Sequence, residues 1–231
     1  MIALLQDLLN TIFPTYCMGC GCMVPPNTIL CLQCEHQLPK TNYHNSQRNP
    51  LFEMIQKLAP IQHATSLFFF ERRGIVQALV HQLKYMGKDH LGDFFGAMLV
   101  KELIGSPFQN CDVVVPIPLH KKRQRKRGYN QVTAFGQQIA MQLRQEYIPN
   151  RLVRHKATRT LVQLNSEQRI AQMKGAFSVV CPTLFVGKHI LLIDDVVTTG
   201  TTLSEAINCL LQIEGVQVSV ATIAFAKPPL P

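Results

Sequence analysis

"LLIDDVVTTGTTL", residues 191–203, decides the fold. It opens as an aliphatic run, turns to two adjacent carboxylates, Asp194 and Asp195, and closes in threonine and glycine. A plain core strand does not finish this way. In open α/β sheets, ligands sit beyond the carboxyl ends of the strands. "HILLI" reads as such a strand, and "TLSEAINCLLQIEG" as the helix that follows. The first backbone N–H groups of a helix are unsatisfied, and with the helix dipole they make a phosphate cradle. Gly200 lets the backbone approach a phosphate closely, and Thr198, Thr199, Thr201 and Thr202 add hydroxyl donors. One end of the stretch suits a phosphate and the other suits sugar hydroxyls.

Working outward, strands alternate with helices from residue 112 onward. "DVVVPIP" (112–118) reads as a buried strand, "NQVTAFGQQIAMQLRQEY" (130–147) as a helix, and "VQVSVATIAFA" as the last strand. Upstream, "ATSLFFFER" (64–72) is an aromatic strand, followed by helices over 74–87 and 91–104. The pattern predicts an α/β domain with a mainly parallel sheet flanked by helices.

Five of the eight cysteines fall within 17–34, as "CMGCGC" and "CLQC". Two C-x-x-C pairs suit a tetrahedral four-sulfur site, so Cys17, Cys20, Cys31 and Cys34 are the expected ligands of a structural zinc. Cys22 is a fifth thiol, either a spare or a replacement for Cys20. Disulfides are disfavoured because no secretory signal is visible. "PKTNYHNSQRNP" (39–50) reads as an exposed connection. The expected organisation is a zinc-knuckle module over 1–50, which starts with a short amphipathic helix, and an α/β domain over 51–231.

The chain has 231 residues, is 47% hydrophobic, carries a net charge of +9 and has a pI near 9.3. No uninterrupted apolar stretch reaches the roughly 18 residues of a transmembrane helix, so no membrane insertion and a cytoplasmic location are expected. The basic excess favours a polyanionic partner. "KKRQRKR" (121–127) sets six cations in seven residues. It is either a solvated loop or an anion funnel, and Lys121, Lys122, Arg123, Arg125 and Lys126 are its candidate nucleic-acid contacts. Tyr43, Tyr85 and Tyr129 are candidates for base stacking, against the alternative of ordinary packing.

"ILLIDDVVTTGTT" resembles the signature with which type I phosphoribosyltransferases bind 5-phosphoribosyl-1-pyrophosphate (PRPP). The order of a four-cysteine knuckle, "LKYMGK" (83–88), "DVVVPIPLHKKRQRKRGYNQ" (112–131), "TLVQLNSEQR" (160–169) and that signature resembles the ComF family, which is linked to natural competence. The resemblance covers nearly the whole chain. One departure is Gln172, where the pattern has asparagine.

The resemblance implies that Asp194 and Asp195 bind the ribose hydroxyls and act in any catalysis. Val197 to Thr202 would belong to the PRPP site, with residues 198–202 holding the 5′-phosphate. Pyrophosphate would meet the loop 116–122, with Pro116, Lys121 and Lys122, and also Arg127, Arg159 and Arg169. Residues 155–170 would form a loop that closes over the site. Magnesium would be carried largely on PRPP oxygens and water. Pyrophosphate would leave C1 through an oxocarbenium-like transition state stabilised by electrostatics. The implied role is a PRPP-binding protein that handles single-stranded DNA in transformation, alongside a competence helicase or other DNA-handling proteins. The alternative is an active phosphoribosyltransferase of base metabolism without a direct DNA role. The motif identifies the ligand better than the reaction, because some regulators keep this site without transferring anything.

Overall fold

A computed structural model describes residues 14–155 and 175–227. The expected N-terminal helix, most of the closing loop with Arg159 and Arg169, and Gln172 lie outside the described residues.

The knuckle comes first: β1 (Thr15–Tyr16) pairs antiparallel with β2 (Met23–Val24), and α1 (Leu32–His36) follows. Then come α2 (Pro50–Gln56), β3 (Ala64–Phe69), α3 (Ile75–Tyr85), α4 (His90–Leu103) and β4 (Val113–Pro116). After these run α5 (Lys121–Arg127), α6 (Thr133–Leu143), β5 (Glu146–Tyr147), β6 (Leu152–Arg154) and β7 (Phe177–Val179). The chain ends with β8 (His189–Val197), α7 (Thr201–Leu210) and β9 (Gln217–Phe225).

Five strands form one sheet in the order β3-β9-β8-β4-β5, and every pairing is parallel. Parallel sheets are covered on both faces, which is why their strands read as continuous apolar runs. In β8, Leu191 and Ile193 face one core with Leu79, Phe95 and Phe135. Ile190 and Leu192 face the other with Leu51, Phe185 and Ile207. The alternation of side chains along a strand thus splits one aliphatic run between two helical layers. Helix α3 buries Val76, Leu79, Val80 and Leu83, a single stripe at helical spacing. Helices α4 and α6 cross closely: a Cβ at Gly96 would stand 2.7 Å from Gln138 Cβ, and one at Gly92 2.9 Å from Ala134 Cβ.

The sequence pattern and the structure part in three places. The expected helix over 130–147 stops at Leu143, where Arg144 turns left-handed at φ 58°. Glu146 and Tyr147 then pair with Val113 and Val114 as an edge strand. The basic run is a helix, capped by the His120 ring on the Lys122 N–H and closed by Gly128 at φ 84°. The stretch read as an exposed connection lies against the sheet. The Phe69 N–H donates to Pro39 O at 2.8 Å and the Thr41 N–H to Leu67 O at 3.1 Å. Within it Tyr43 and Asn49 are buried, and Asn49 Nδ2 donates to Ala64 O at 2.8 Å. Polar composition hid these contacts, because most are backbone hydrogen bonds and Asn49 buries a polar side chain by bonding a strand carbonyl.

The knuckle shares the core of the main body. Cys17, Val24, Leu30 and Cys34 pack in the same cluster as Leu67, Phe68, Leu79 and Leu83. Gln82 Nε2 donates to Met18 O at 3.1 Å, and a Cβ at Gly19 would stand 2.7 Å from Ile75 Cδ1. Among the described residues, no helix is long and apolar enough to cross a membrane.

Candidate PRPP site and thiol knuckle

Because all five strands are parallel, their carboxyl ends gather along one edge. The turns after β3, β4 and β8 meet there. Asp194 and Asp195 stand near the end of β8, on opposite faces as strand neighbours must.

Their surroundings differ. Asp194 lines a cleft of about 390 Å³ with Arg72 and residues 196–203. Its Oδ1 accepts the Asp195 N–H at 2.8 Å. Burial, then the Asp195 carboxylate, pushes Asp194 up to about 7, against the pull of Lys84 and Arg154. Asp195 is buried. Its Oδ2 lies 2.9 Å from Lys84 Nζ and accepts from Gln131 Nε2 at 2.6 Å, while Oδ1 accepts the Val196 N–H at 2.5 Å.

Beyond the dyad the chain turns into α7. Gly200 is left-handed at φ 74° and caps α7. A Cβ there would press on Met54 Cε at 3.3 Å. Thr199 and Thr201 bring their hydroxyls within 3.0 Å of each other. Thr198 is exposed and Thr202 half-exposed, and both line the cleft, whereas Thr201 is buried. The Val197 side chain packs in the core, so this residue can serve the cleft chiefly through its backbone.

A second cleft, of about 430 Å³, adjoins the dyad and is lined by Pro116, Lys121, Gln131 and Arg154 among others. Arg154 is buried, with its guanidinium 5.6 Å from the Phe177 ring centroid. Burial and Arg123 press its pKa down, and Asp194 pulls it up. Of the expected pyrophosphate residues, Pro116 and Lys121 line this cleft. Lys122 is exposed on α5, and Arg127 bonds Gln131. Arg123, Arg125 and Lys126 are exposed on the same helix.

Sequence reasoning missed Lys84, Gln131, Arg154 and Arg72 as site residues. Lys84 and Gln131 lay inside quoted motifs, "LKYMGK" and "RGYNQ", and the structure brings those motifs together. Tyr129 Oη donates to Leu83 O, and the Arg127 guanidinium sits 5.3 Å from the Tyr85 ring centroid. Tyr43 packs edge-on against Phe69 at 5.6 Å and is closed to base stacking.

In the knuckle, the sulfurs of Cys17, Cys20, Cys22 and Cys31 all lie within 4.8 Å of one another. A tetrahedral zinc thiolate with bonds of about 2.3 Å sets its sulfurs roughly 3.8 Å apart. Cys20 Sγ and Cys31 Sγ are 3.7 Å apart, so the donor set fits. Burial opposes ionisation of Cys17, yet the N–H groups around it, among them Cys31 at 3.3 Å and Gly19 at 3.4 Å, bring it down to about 6. Cys34 is buried, and burial first, then the thiols of Cys20, Cys31 and Cys17, raise its pKa. Five thiols therefore converge, and the mutually close quartet holds Cys22 where the spacing pointed to Cys34.

The phosphoribosyl transferase domain family matches residues 133–229. The DNA utilization protein YhgH of Escherichia coli K12 is 28% identical over 208 residues, 88% of this chain and 87% of that protein. Its namesake in Salmonella typhimurium is 30% identical over the same shares. Competence protein F of Haemophilus influenzae is 37% identical over 110 residues, 46% of this chain and 48% of that protein.

Proposed function

This chain belongs to the ComF family of phosphoribosyltransferase-like proteins, and from that premise we propose that it binds PRPP at the strand-end cleft and serves DNA handling of the competence type. The observation that carries the reading is the joint geometry of β8 and α7. A half-buried carboxylate and a left-handed glycine cap, with threonine hydroxyls between them, line one cleft. The helix start and the Thr198–Thr202 turn take the 5′-phosphate, and Asp194 and Asp195 take the ribose hydroxyls. Pyrophosphate extends toward Lys121 and Arg154 in the adjoining cleft. Magnesium comes with the phosphate oxygens and supplies charge neutralisation there. The residues of this chain orient the sugar and surround its anionic groups.

The knuckle thiols hold zinc. The module over 1–50 and the domain over 51–231 act as one body through their common core. Residues 155–170, with Arg159 and Arg169, are the segment placed in sequence to close over PRPP.

Single-stranded DNA is the macromolecular partner that best accounts for a helix of exposed cations beside this cleft and for the names of the relatives. A second reading, transfer to a base acceptor, is favoured by the adjoining cleft, which leaves room beside the dyad.

Calorimetric titration of PRPP and Mg²⁺ into the chain, with and without an oligonucleotide, tests the proposal. Saturable PRPP binding is expected, together with DNA binding that weakens as salt rises. Neutralising Lys121, Lys122, Arg125 and Lys126 is to flatten the salt slope by up to about 3, at roughly 0.7 per lost phosphate contact. Unaltered DNA binding in that variant would remove α5 from the interface. Pyrophosphate release in the presence of a base would favour the second reading.

A further inference from the structure

Asp195 is held more firmly than a substrate contact alone requires. Both of its oxygens are engaged by the protein, and its side chain is 9% exposed. Asp194 opens toward the cleft by comparison. The grip on Asp195 comes from outside its own strand. Lys84 lies in the last turn of α3, and its side chain, 22% exposed, turns in to the strand tip where a helix-end lysine ordinarily extends into water. Gln131 reaches the same oxygen from the stretch that leads into α6.

The end of α3 is itself pinned. Tyr129 bonds the carbonyl of Leu83, Arg127 covers Tyr85, and Arg127 also bonds Gln131. Four contacts join Lys84, Asp195, Gln131, Arg127 and Tyr85 in turn, and the peptide bond between Lys84 and Tyr85 closes the ring. Such a ring fixes an ammonium and a carboxylate relative to each other.

We propose that Lys84 is a positioning residue of the ribose subsite, holding the Asp195 carboxylate in the orientation that accepts ribose hydroxyls. The inference rests on the PRPP reading of the cleft. A buried carboxylate without a partner is costly, and Lys84 and Gln131 supply the Asp195 carboxylate with partners where water is scarce. Orientation matters as much as charge, because an acceptor that must be reoriented on binding loses much of its contribution. Lys84 also opposes the effect of burial on Asp194, together with Arg154. One ammonium thus acts on both carboxylates, and it does so from the helix on which the knuckle sits.

The test compares two ligands: ribose 5-phosphate, and tetrahydrofurfuryl phosphate, which keeps the ring and the phosphate but has no diol. Affinities are measured by competition against PRPP on the full chain. The wild type is expected to prefer ribose 5-phosphate. Lys84→Met is to lower affinity for ribose 5-phosphate about tenfold and to leave the diol-free ligand nearly unchanged, so that the preference collapses. Lys84→Arg is to restore most of it.

Equal losses for both ligands would show a merely structural role and overturn the proposal. Loss for PRPP without loss for ribose 5-phosphate would mean a direct pyrophosphate contact and overturn it as well. So would a Lys84→Met protein that keeps the wild-type preference. A wild type that binds neither PRPP nor ribose 5-phosphate would instead sink the PRPP reading itself. Should Lys84→Met not fold, Gln131→Met removes the other donor to the same oxygen and is expected to erode the preference in the same direction. An unchanged preference there would count against the proposal.

Discussion

The knuckle takes its five thiols from residues 17–34, whereas the cleft and its supports draw on Arg72, Lys84, Gln131, Arg154, Asp194 and Thr198–Thr202. Both sit on the same apolar core, and both touch α3: Ile75 and Gln82 face the knuckle, and Lys84 faces the dyad. The difference lies in what builds them. Tight turns and N–H···S contacts preform the knuckle within one short stretch. The cleft exists only once β8 is in register between β4 and β9. A local site is therefore robust to distant changes and fragile to single ligand changes. A site assembled by topology spreads its dependence over many residues.

The largest effect should come from the knuckle. Zinc contributes roughly 10 kcal/mol or more of apparent folding free energy in isolated fingers. Cys17→Ser or Cys31→Ser should abolish the zinc binding proposed for the knuckle, as measured by metal analysis of the purified protein. Because Cys17 and Cys34 pack with Phe68 and Leu79, the melting temperature should fall as well. The fourth ligand separates the two quartets. Cys34 is buried within reach of the other thiols and Cys22 is exposed, so Cys34→Ser should lose the metal and Cys22→Ser should keep it. The opposite outcome would assign the site to the mutually close quartet that contains Cys22.

The next effect belongs to the cleft. Asp195→Ala strips Lys84 and Gln131 of their common acceptor. Breaking a buried ion pair from one side costs about 3 kcal/mol, and the partial exposure of Lys84 should bring the loss toward or below that figure. PRPP affinity should fall at least a hundredfold, since the ribose then meets an unsupported strand tip. Denaturant unfolding and calorimetry read the two quantities separately. PRPP affinity within a few fold of the wild type would show that Asp195 is not part of the ribose subsite.

The same contrast explains what could be read in advance. The knuckle and the "LLIDDVVTTGTTL" turn were legible because each is contiguous and each feature has a local physical cause. The strands β3, β4, β8 and β9 were legible too, since burial on both faces leaves a continuous aliphatic run. The roles of Lys84 and Gln131 were not. Nothing at residue 84 distinguishes a lysine at a helix end from one turned inward to a carboxylate, because that depends on how α3 lies across the sheet. The edge strand at Glu146 escaped for a similar reason: two residues carry no periodicity, and only the left-handed turn at Arg144 separates them from α6. The basic run looked like a loop because helix formation at 121–127 depends on its caps, His120 and Gly128, more than on its charged interior.

The smallest effect sharpens the comparison at one proton. The ordinary value for Asp194 is 3.8, and burial followed by the Asp195 carboxylate pushes it up to about 7. Between those values the folded chain keeps a proton that the unfolded chain has released. The stabilising contribution is therefore complete at low pH and is lost as pH rises across that window. Ligand binding should run the other way, because an ionised carboxylate is the stronger acceptor for ribose hydroxyls. PRPP affinity should rise as pH passes about 7 while the stability of the free chain declines. Asp194→Asn removes the titrating group, so both curves should flatten between about pH 5 and about pH 8, and PRPP should bind more weakly throughout. Knuckle variants should leave this pH slope in place wherever they still fold, since no thiol is among the causes of the Asp194 shift. Parallel stability curves for wild type and Asp194→Asn would mean that Asp194 holds no extra proton in the folded chain.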